Sequence, residues 1–248
     1  MCLLLAACHV VAGHPCVVLA NRDEYWDRDA DPPAPRGGDP AVTSGLDRRG
    51  GGTWLGLNAS GVVAVLTNRP GPLDPGRPSR GAIAIEALTA RASDTAASKA
   101  AARAVRDQPN PFSLFTGDEH GGVALTWDGP GSEPAFHALA PGLHTLTNTH
   151  EVDALPVDRV LAAAPGGAIE LPDGLRLDEA VARLRRLAGS HVALDGTRTA
   201  VCVHDDAHRR GTVSAAILAV AADGAPAVFW AADGAPCVTP WRAVALPV

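Results

Sequence analysis

The second residue of the chain is a cysteine, Cys2, and an apolar run follows it at once. Methionine aminopeptidases remove Met1 when the next side chain is small, so we expect the mature chain to begin with Cys2. That residue would then carry a thiol with an ordinary pKa of ~8.5 and a free α-amine with an ordinary pKa of ~8. Near neutral pH the amine can take the proton of the thiol, as in N-terminal threonine nucleophiles. Cys2 is therefore our candidate nucleophile, although N-terminal processing alone also explains a small second residue.

Two apolar runs, residues 3–11 and 16–20, predict a β-hairpin around a turn of Ala, Gly, His and Pro at residues 12–15. Two antiparallel strands of about seven residues return the chain to its starting end. The hairpin would therefore bring residues 21–24 beside Cys2.

Residues 21–24 read Asn, Arg, Asp and Glu, which offer charge and hydrogen bonds to Cys2. Arg22 is predicted to lower the pKa of the thiol, because a nearby cation favours the thiolate. Asp23 is predicted to hydrogen-bond the α-amine and hold it toward the sulfur. Neighbouring residues of a strand point to opposite faces, so both can reach Cys2 only where the strand ends or bulges. Asn21 and Glu24 remain substitutes, taken as substrate-binding residues, and a plain charged turn at a strand end remains an alternative.

Hydrolysis through a tetrahedral intermediate needs donors aimed at its oxyanion, often an asparagine side chain beside a backbone N–H. Asn68 and Asn148 each follow a threonine at the end of an apolar strand, which predicts a place for their amides at the rim of a sheet near Cys2. Asparagine also favours turns after strands, and that alternative stays open. The glycines at 50–52 lack the lysine and helix of a phosphate loop. Trp54 after them is predicted to be either core or a wall of the substrate pocket.

The composition argues against two classes of partner, nucleic acids and membranes. The chain has 21 basic and 27 acidic residues and a formal net charge of −6, which argues against a nucleic-acid partner, since phosphate binding needs a concentrated basic face. No stretch approaches the roughly 20 apolar residues of a membrane span. We therefore expect a cytoplasmic protein without a membrane span.

The cysteines and histidines show no metal-binding spacing. Five cysteines are an odd number without the pattern of a disulfide framework, and no CxxC pair indicates zinc. We interpret Cys8, Cys16, Cys202 and Cys237 as small, reduced core residues. The nine histidines lack HxxxH spacing, so neither a metal nor a cofactor is expected.

The rest of the chain alternates strand-like and helix-like stretches. Residues 27–52, rich in Pro, Gly, Asp and Arg, predict a long surface loop. After it we predict a hairpin of strands 53–57 and 62–67, and then a helical region over 80–106 with a cap at Ser79 and, after a break, a second cap at Asp94. An antiparallel meander of strands 112–116, 123–127, 134–139 and 143–147 is predicted next. Helices at 156–164 and 178–188 follow, and the last predicted strands are 200–204, 212–221 and 226–231, with a turn at Asp223-Gly224.

This order of elements predicts an α+β fold in one domain over residues 1–248. Strands, helices, strands, helices, strands is the order expected when two antiparallel sheets pack face to face and helices cover each outer face, a four-layer αββα sandwich. The pattern also fits a generic α+β domain, and the cysteine at position 2 favours the sandwich.

Several stretches together resemble the NRDE family, also called the transport-and-Golgi-organisation family. In chain order they are Met1-Cys2 with its apolar strand, Asn21-Arg22-Asp23-Glu24, Gly51-Gly52-Thr53-Trp54-Leu55-Gly56, Leu66-Thr67-Asn68, Ser79-Arg80-Gly81, Leu146-Thr147-Asn148, and Ala200-Val201-Cys202-Val203 before Gly211-Thr212. The resemblance covers most of the chain.

The resemblance implies an N-terminal-nucleophile hydrolase-like fold, related to cysteine amidases that cleave amides such as acyl amino acids and penicillin side chains. A eukaryotic branch of the family is connected with haem movement. The family usually continues Gly-Thr-Arg after the late strand, whereas this chain has Gly211-Thr212-Val213. If that arginine has a role in catalysis or substrate binding, either no residue of this chain fills the role or Arg209 or Arg210 does.

Two functions are carried forward from these observations. The first is an N-terminal cysteine hydrolase that acts on a non-peptide C–N amide bond of a small acylated molecule through a Cys2 thioester, without a cofactor. The second is a binding or trafficking protein for a hydrophobic ligand such as haem, without catalysis.

Overall fold

Two antiparallel β-sheets face each other in the computed structural model, which describes residues 2–149, 151–194 and 200–246. Within those residues there are fourteen strands, which are in chain order β1 Leu3–Val11, β2 His14–Tyr25, β3 Ala30–Gly37, β4 Val42–Asp47, β5 Leu55–Asn58, β6 Val63–Asn68, β7 Phe112–Asp118, β8 Gly121–Trp127, β9 Ala135–Leu139, β10 Gly142–Thr147, β11 His204–Asp205, β12 Arg210–Val220, β13 Val228–Ala232 and β14 Arg242–Ala243. The first sheet has the order β10-β1-β2-β12-β13-β14, with β11 also paired to β12. The second sheet runs from β3 to β9 in chain order.

Helices cover the outer face of each sheet. The α-helices of the described residues are α1 Gly81–Ala87, α2 Ser93–Asp107, α3 Val157–Ala162 and α4 Leu177–Ala188, and a short 3₁₀ helix spans Asp206–His208. Apolar residues of α1 and α2 pack against β6, β7 and β8 of the second sheet. Those of α3 and α4 pack against β1, β2 and β12 of the first sheet. The predicted four-layer αββα sandwich is therefore confirmed.

The first two strands are buried on both faces. Leu3 and Leu19 face α4, whereas Leu4 and Val18 face the second sheet. This period-2 alternation between two covered faces explains why β1 reads as an unbroken apolar run. The predicted hairpin is confirmed, and β2 extends beyond its predicted end to Tyr25. Cys8 and Cys16 are buried between the sheets, as predicted.

The predicted surface loop over residues 27–52 is wrong, because this segment contains β3 and β4. Prolines at positions 32, 33 and 35 gave the segment the composition of a loop. In the structure β3 is an edge strand of the second sheet. Proline is tolerated there because an edge strand leaves one row of its N–H groups without a partner strand.

The predicted meander is wrong in its last strand. The strands β7, β8 and β9 follow one another in the second sheet, but β10 lies in the first sheet and pairs with β1. Apolar periodicity predicts a strand without specifying its partner. This crossing of β10 bears directly on the candidate site.

The helical region after residue 80 divides into α1 and α2, as predicted, but its caps differ. Ser79 Oγ accepts a hydrogen bond of 3.3 Å from the Gly81 N–H. Asp94 lies inside the first turn of α2 and does not cap it, so that prediction is wrong. Asp118 Oδ2 of β7 instead accepts a 2.7 Å hydrogen bond from the Ser93 N–H. A partner distant in sequence therefore replaces a local cap.

The C-terminal strands follow the prediction except at residues 200–204. There the structure has only an isolated bridge at Ala200 and the short β11. The turn between β12 and β13 has positive φ at both Asp223 (58°) and Gly224 (70°), as the predicted Asp-Gly hairpin turn requires. Within the described residues, no helix has both the length and the apolar character needed to cross a membrane.

Candidate active site

The pairing of β1 with β2 places Cys2 opposite Arg22. Leu3 pairs with Asn21, so the register continued by one residue sets Cys2 against Arg22. Side chains of a strand alternate between faces, and Leu4 of β1 faces the second sheet. Cys2 and Arg22 therefore share the face that looks into the space between the sheets.

The pairing of β1 with β10 places Asn148 on the other side of Cys2. Leu3 pairs with Thr147, and the next position along β10 is Asn148. The Asn148 side chain is partly buried, and its Oδ1 atom is buried without a hydrogen-bond partner among the described residues. Because β10 lies in the first sheet, the Asn148 amide, whose oxygen has no hydrogen-bond partner among the described residues, neighbours the candidate nucleophile.

Backbone hydrogen bonds hold the sulfur of Cys2 against Asp23. The Asp23 N–H donates to Cys2 Sγ at 3.3 Å, and the thiol faces the Asp23 carbonyl oxygen at 3.4 Å. The predicted return of the hairpin to Cys2 is confirmed. The Asp23 carboxylate accepts a 2.5 Å hydrogen bond from the Thr212 hydroxyl. That hydroxyl in turn accepts a 2.9 Å bond from the Val203 N–H.

The strand β2 neither ends nor bulges at Arg22 and Asp23, and the bulge at this point lies in its partner β12. Thr212 pairs with Asp23 and Ser214 pairs with Arg22, so Val213 of β12 is the extra residue. The strand β2 itself continues to Tyr25. Asp23 therefore contacts Cys2 through its backbone, while Arg22 shares the face of Cys2.

The thiol of Cys2 is held in its neutral form in a chain that still carries Met1. Burial, and next the charge of Asp23, raise the pKa of Cys2 to about 11. Burial also raises the pKa of Asp23, and the hydrogen bond from Thr212 opposes that shift. The expected lowering of the thiol pKa by Arg22 is outweighed here. A base must therefore take the proton of the thiol when it reacts.

Arg22 stacks on Trp54 and pairs with Glu24. Its guanidinium carbon lies 4.5 Å from the centroid of the Trp54 ring, and its Nη2 lies 3.8 Å from Glu24 Oε2. Burial lowers the pKa of Arg22, and the charges of Glu24, Asp47 and Cys2 oppose this shift. Trp54 Nε1 is buried without a partner among the described residues. The indole N–H of Trp54 is therefore available to donate a hydrogen bond in the wall of the site.

A cavity of about 660 Å³ opens in front of Cys2. Its charged lining residues are Arg22, Asp23, Glu24, Arg28, Asp47, Arg49, Asp74, Arg77 and Arg80. Arg28 pairs with Asp47 at 2.6 Å, and Arg77 pairs with Asp74 at 3.5 Å. The volume and the polar lining suit a small charged molecule.

Arg80 is a cation of this cavity that the analysis of the sequence did not single out. Its Nη1 donates to the Pro111 carbonyl at 3.1 Å, and no carboxylate of the described residues pairs with it. Burial, and next the like charge of Arg28, lower the pKa of Arg80. The Ser79-Arg80-Gly81 stretch was the available signal. Thr212, the partner of Asp23, was likewise missed, because only the fold connects the two.

One pair of glycines brings the motif segments together. A Cβ atom at Gly52 would lie 2.4 Å from the Gly81 carbonyl carbon, and one at Gly81 would lie 2.9 Å from Gly52 Cα. The Thr53 N–H donates to the Gly81 carbonyl at 3.3 Å. The start of α1, with Arg80, is thereby held against the segment that carries Trp54.

The remaining predicted residues take different positions. Asn68 at the end of β6 is exposed and borders the cavity. Asn21 also borders the cavity, but its amide nitrogen donates to the carbonyls of Ala188 (2.9 Å) and Val201 (2.7 Å). This amide ties β2 to the end of α4. Binding of substrate by Asn21 stays a prediction that rests on its buried Oδ1 atom, which has no partner among the described residues.

The candidate substitutes for the family arginine lie away from the cavity of Cys2. Arg210 pairs with Asp205 at 3.3 Å, and Arg209 lies over the Trp26 ring at 5.9 Å. Val213 borders a smaller neighbouring cavity of about 230 Å³. The cationic groups that do line the larger cavity come from other segments, Arg80 among them.

Comparisons with known proteins give a family and a fold. A family described as Transport and Golgi organisation 2 matches residues 1–162. The chain is 34% identical over 140 residues to the Transport and Golgi organization protein 2 homolog of Bos taurus and 31% identical over 138 residues to that of Homo sapiens. Each alignment covers 53% of this chain and 50% of the relative. The chain thus spans about half the length of these curated relatives.

Solved structures resemble the whole described fold. The Caenorhabditis elegans N-acylethanolamine-hydrolyzing acid amidase ortholog aligns with a TM-score of 0.52 and 13% identity over 88% of this chain and 92% of that one. Penicillin V acylase from Agrobacterium tumefaciens aligns with a TM-score of 0.52 and 14% identity over 98% of this chain and 86% of that one. A variant of conjugated bile acid hydrolase from Clostridium perfringens aligns with a TM-score of 0.53 and 10% identity over 98% of this chain and 96% of that one. At these identities the likeness shows the N-terminal-nucleophile hydrolase-like fold.

Proposed function

The chain belongs to the Transport and Golgi organisation 2 family, and from this premise we propose that it is an N-terminal cysteine hydrolase acting on a non-peptide C–N amide bond of a small acylated molecule. The observation that carries the proposal is the position of Cys2. It directly precedes β1, lines a charged cavity and lies between Arg22 and Asn148. A thiol at the end of a buried strand that opens on a cavity of ligand size is placed to meet a substrate.

The proposed reaction has two steps. In the first, the α-amine freed by removal of Met1 takes the proton of the Cys2 thiol, and the sulfur attacks the amide carbonyl. The C–N bond then breaks, the amine leaves with that proton, and a thioester remains. In the second step water attacks the thioester, which releases the carboxylic acid and restores the thiol. Removal of Met1 falls on a residue outside the described part of the chain and stays a prediction.

Asn148 and Asn68 are proposed to donate to the oxyanion of the tetrahedral intermediate. Asn148 neighbours Cys2 across the β1–β10 pairing, and its Nδ2 group is the donor that this role requires. Asn68 borders the same cavity from the second sheet. Donors of this kind stabilise the transition state more than the ground state, because the negative charge on the oxygen develops only there.

Arg80 and Arg49 favour a substrate with a carboxylate. Both line the cavity, and neither is paired with an acidic side chain of the described residues. Arg80 is partly buried whereas Arg49 is exposed, and a cation that burial has partly desolvated gains most from an anionic partner that enters with the ligand. We therefore propose an acylated amine with an acidic group, such as an N-acyl amino acid, rather than a wholly apolar ligand.

Turnover of a panel of N-acyl amino acids tests this proposal. The protein with a native N-terminus is incubated with each compound, amine release is measured, and intact mass reports an acyl adduct. We expect turnover that Cys2→Ala abolishes and that Cys8→Ala, a thiol buried between the sheets, leaves within about threefold. Arg80→Ala should raise KM more than it lowers kcat. Binding of acylated amines or haem without any turnover or adduct in the wild type would refute the enzyme and identify a carrier.

A further inference from the structure

Two cysteines and two histidines meet at one end of the first sheet, away from the cavity of Cys2. The residues are His191, Cys202, His204 and Cys237, which we call the Cys2His2 cluster. One potential ligand atom from each residue lies within 4.8 Å of the others. The sequence pattern did not reveal this group, because its first and last members are 46 positions apart and its spacing is irregular.

Three separate segments build the Cys2His2 cluster. His191 follows the end of α4, Cys202 lies just before β11, and His204 is the first residue of β11. Cys237 lies in the connection between β13 and β14. A Cβ atom at Gly189 would lie 3.1 Å from Cys237 Cα, so the absence of a side chain there lets this connection approach α4 closely.

The distances within the cluster are close to those of a tetrahedral zinc site. His204 Nε2 lies 3.8 Å from Cys202 Sγ and 3.2 Å from Cys237 Sγ. Zinc bonds of about 2.3 Å to sulfur and about 2.0–2.1 Å to nitrogen put neighbouring ligand atoms of a tetrahedron about 3.4–3.8 Å apart. The two measured separations lie close to this range before any metal is added.

The second histidine is oriented by the backbone. His191 Nδ1 lies 3.0 Å from the Cys202 carbonyl oxygen, and an N–H at Nδ1 donates to it. This bond leaves Nε2 with a free lone pair, which is the usual arrangement of a metal-ligating histidine. The rings of His191 and His204 lie 5.0 Å apart between centroids, and both side chains are exposed. A metal ion can therefore enter from solvent.

We propose that the Cys2His2 cluster binds one Zn²⁺ ion in a closed, structural site. Two thiolates and two imidazoles are a donor set that zinc takes with tetrahedral geometry, and four protein ligands leave no open position for a substrate. On binding, both thiols release their protons to solvent and form Zn–S bonds, with no change of oxidation state.

The metal would hold the segment behind the candidate active site. Val203 lies between two of the ligands, and its N–H donates to Thr212 Oγ1. The Thr212 hydroxyl in turn donates to the Asp23 carboxylate. Zinc is thus expected to stabilise the support of Asp23 without taking part in the chemistry of Cys2.

Metal analysis of protein purified without chelators or a histidine tag tests the proposal. We expect about one zinc per chain, and in metal-stripped protein we expect added Co²⁺ to give the visible and sulfur-to-cobalt bands of tetrahedral thiolate coordination. His204→Ala and Cys237→Ser should weaken zinc binding by more than about 100-fold. The matched control is His208→Ala, an exposed histidine outside the cluster.

A second measurement, protection of cysteines from alkylation, uses only the wild type and remains valid if the variants fail to fold. In the metal-stripped wild type, added Zn²⁺ should protect Cys237 from alkylation while leaving Cys2 unprotected, with peptide mapping to separate the two. This readout does not depend on turnover, so the zinc site and the hydrolase can fail separately. Absence of zinc and of the cobalt bands, equal affinity in His204→Ala and His208→Ala, or a Cys202–Cys237 disulfide that persists under reducing conditions would each overturn the site.

Discussion

The protonation of Cys2 decides how the candidate nucleophile can work. With a pKa raised to about 11, the thiolate fraction at pH 7 is about 10⁻⁴. A preformed thiolate is then not the reactive species in a chain that carries Met1. Removal of Met1 supplies both a base next to the sulfur and, once protonated, a cation that favours the thiolate. Processing of the N-terminus is therefore the activating step of the proposed reaction.

Alkylation of Cys2 should follow this difference in pH dependence. In a chain whose N-terminus is blocked by a fusion partner, the rate with iodoacetamide should rise about tenfold per pH unit up to about pH 11, because the thiol is the acid form and loses its proton only as pH rises. Release of the fusion, which exposes Cys2, should shift the profile to lower pH. Peptide mapping measures the modified cysteine. Superimposable profiles would remove the α-amine from its role.

Arg22 can be tested in the same released protein. Arg22→Leu should move the alkylation profile to higher pH, because the fixed cation shares the face of Cys2, and Arg22→Lys should keep part of the effect through its charge. Arg209→Leu, an arginine that lies over Trp26 outside the cavity, is the control. Equal profiles for the Leu and Lys variants and the wild type would exclude the electrostatic role.

Asn148 should matter for the rate and little for stability. If it donates to the oxyanion, Asn148→Ala should lower kcat by about 100- to 1000-fold with KM nearly unchanged. Because its Oδ1 atom is buried without a partner among the described residues, its removal should leave Tm unchanged or higher. Asn110→Ala, which also borders the cavity, is the control and should keep kcat within about threefold. A lowered Tm with unchanged kcat would make Asn148 structural.

At the scale of elements, the contact between the segment of Trp54 and the start of α1 shapes the cavity. Gly52 and Gly81 touch through their backbones, and a Cβ atom at Gly45 would lie 2.4 Å from the Trp54 ring. These positions have no room for a side chain. The glycines of the motif therefore allow close packing that positions Arg80 and Trp54 across one cavity.

Gly52→Ala should destabilise the fold and displace Arg80. The new Cβ atom would lie 2.4 Å from the Gly81 carbonyl carbon, so backbone must move, and overpacking of this kind costs about 1–3 kcal/mol. The free energy of unfolding in urea measures the loss, and KM for an acidic substrate reports the displacement. Gly76→Ala, which would meet only the Asp74 carboxylate oxygen at 3.2 Å, is the control. Equal stability of the two variants would contradict the packing argument.

At the scale of the whole molecule, the apolar layer between the sheets keeps the two halves of the candidate site together. Arg22 belongs to the first sheet, and Cys2 and Asn148 each lie one residue beyond one of its strands. Asn68 ends β6 of the second sheet, and Trp54 lies just before β5 of that sheet. Phe115 of β7 is fully buried in this layer. The site therefore exists only while the sheets remain packed.

Phe115→Ala should cost about 3–5 kcal/mol, because it removes a fully buried ring and leaves a cavity between the sheets. Denaturation followed by tryptophan fluorescence and by circular dichroism measures the change. The control is Phe136→Ala on β9, whose side chain is 52% exposed and which should cost less than about 1 kcal/mol. Equal losses in the two variants would show that this layer does not hold the sheets.

Local patterns were sufficient for much of the architecture. The apolar runs of β1 and β2 with the turn between them, and the Asp223-Gly224 turn, predicted hairpins that the structure has. The apolar spacing of α4 predicted a helix of nearly the observed length. Such features depend on contacts between neighbours in sequence, so the residues themselves encode them. The sequence also determined which residue could be a nucleophile, since Cys2 depends only on its position.

Only the tertiary structure decided which distant segments meet. The pairing of β10 with β1, the hydrogen bond of Thr212 to Asp23, and the placement of Arg80 in the cavity each join residues far apart in the chain. The same holds for His191 and Cys237, whose spacing carried no signal. A strand's periodicity states that it has a buried face but does not name its partner, which the packing of all four layers selects. For this reason the candidate nucleophile could be proposed from the sequence, whereas its surroundings required the fold.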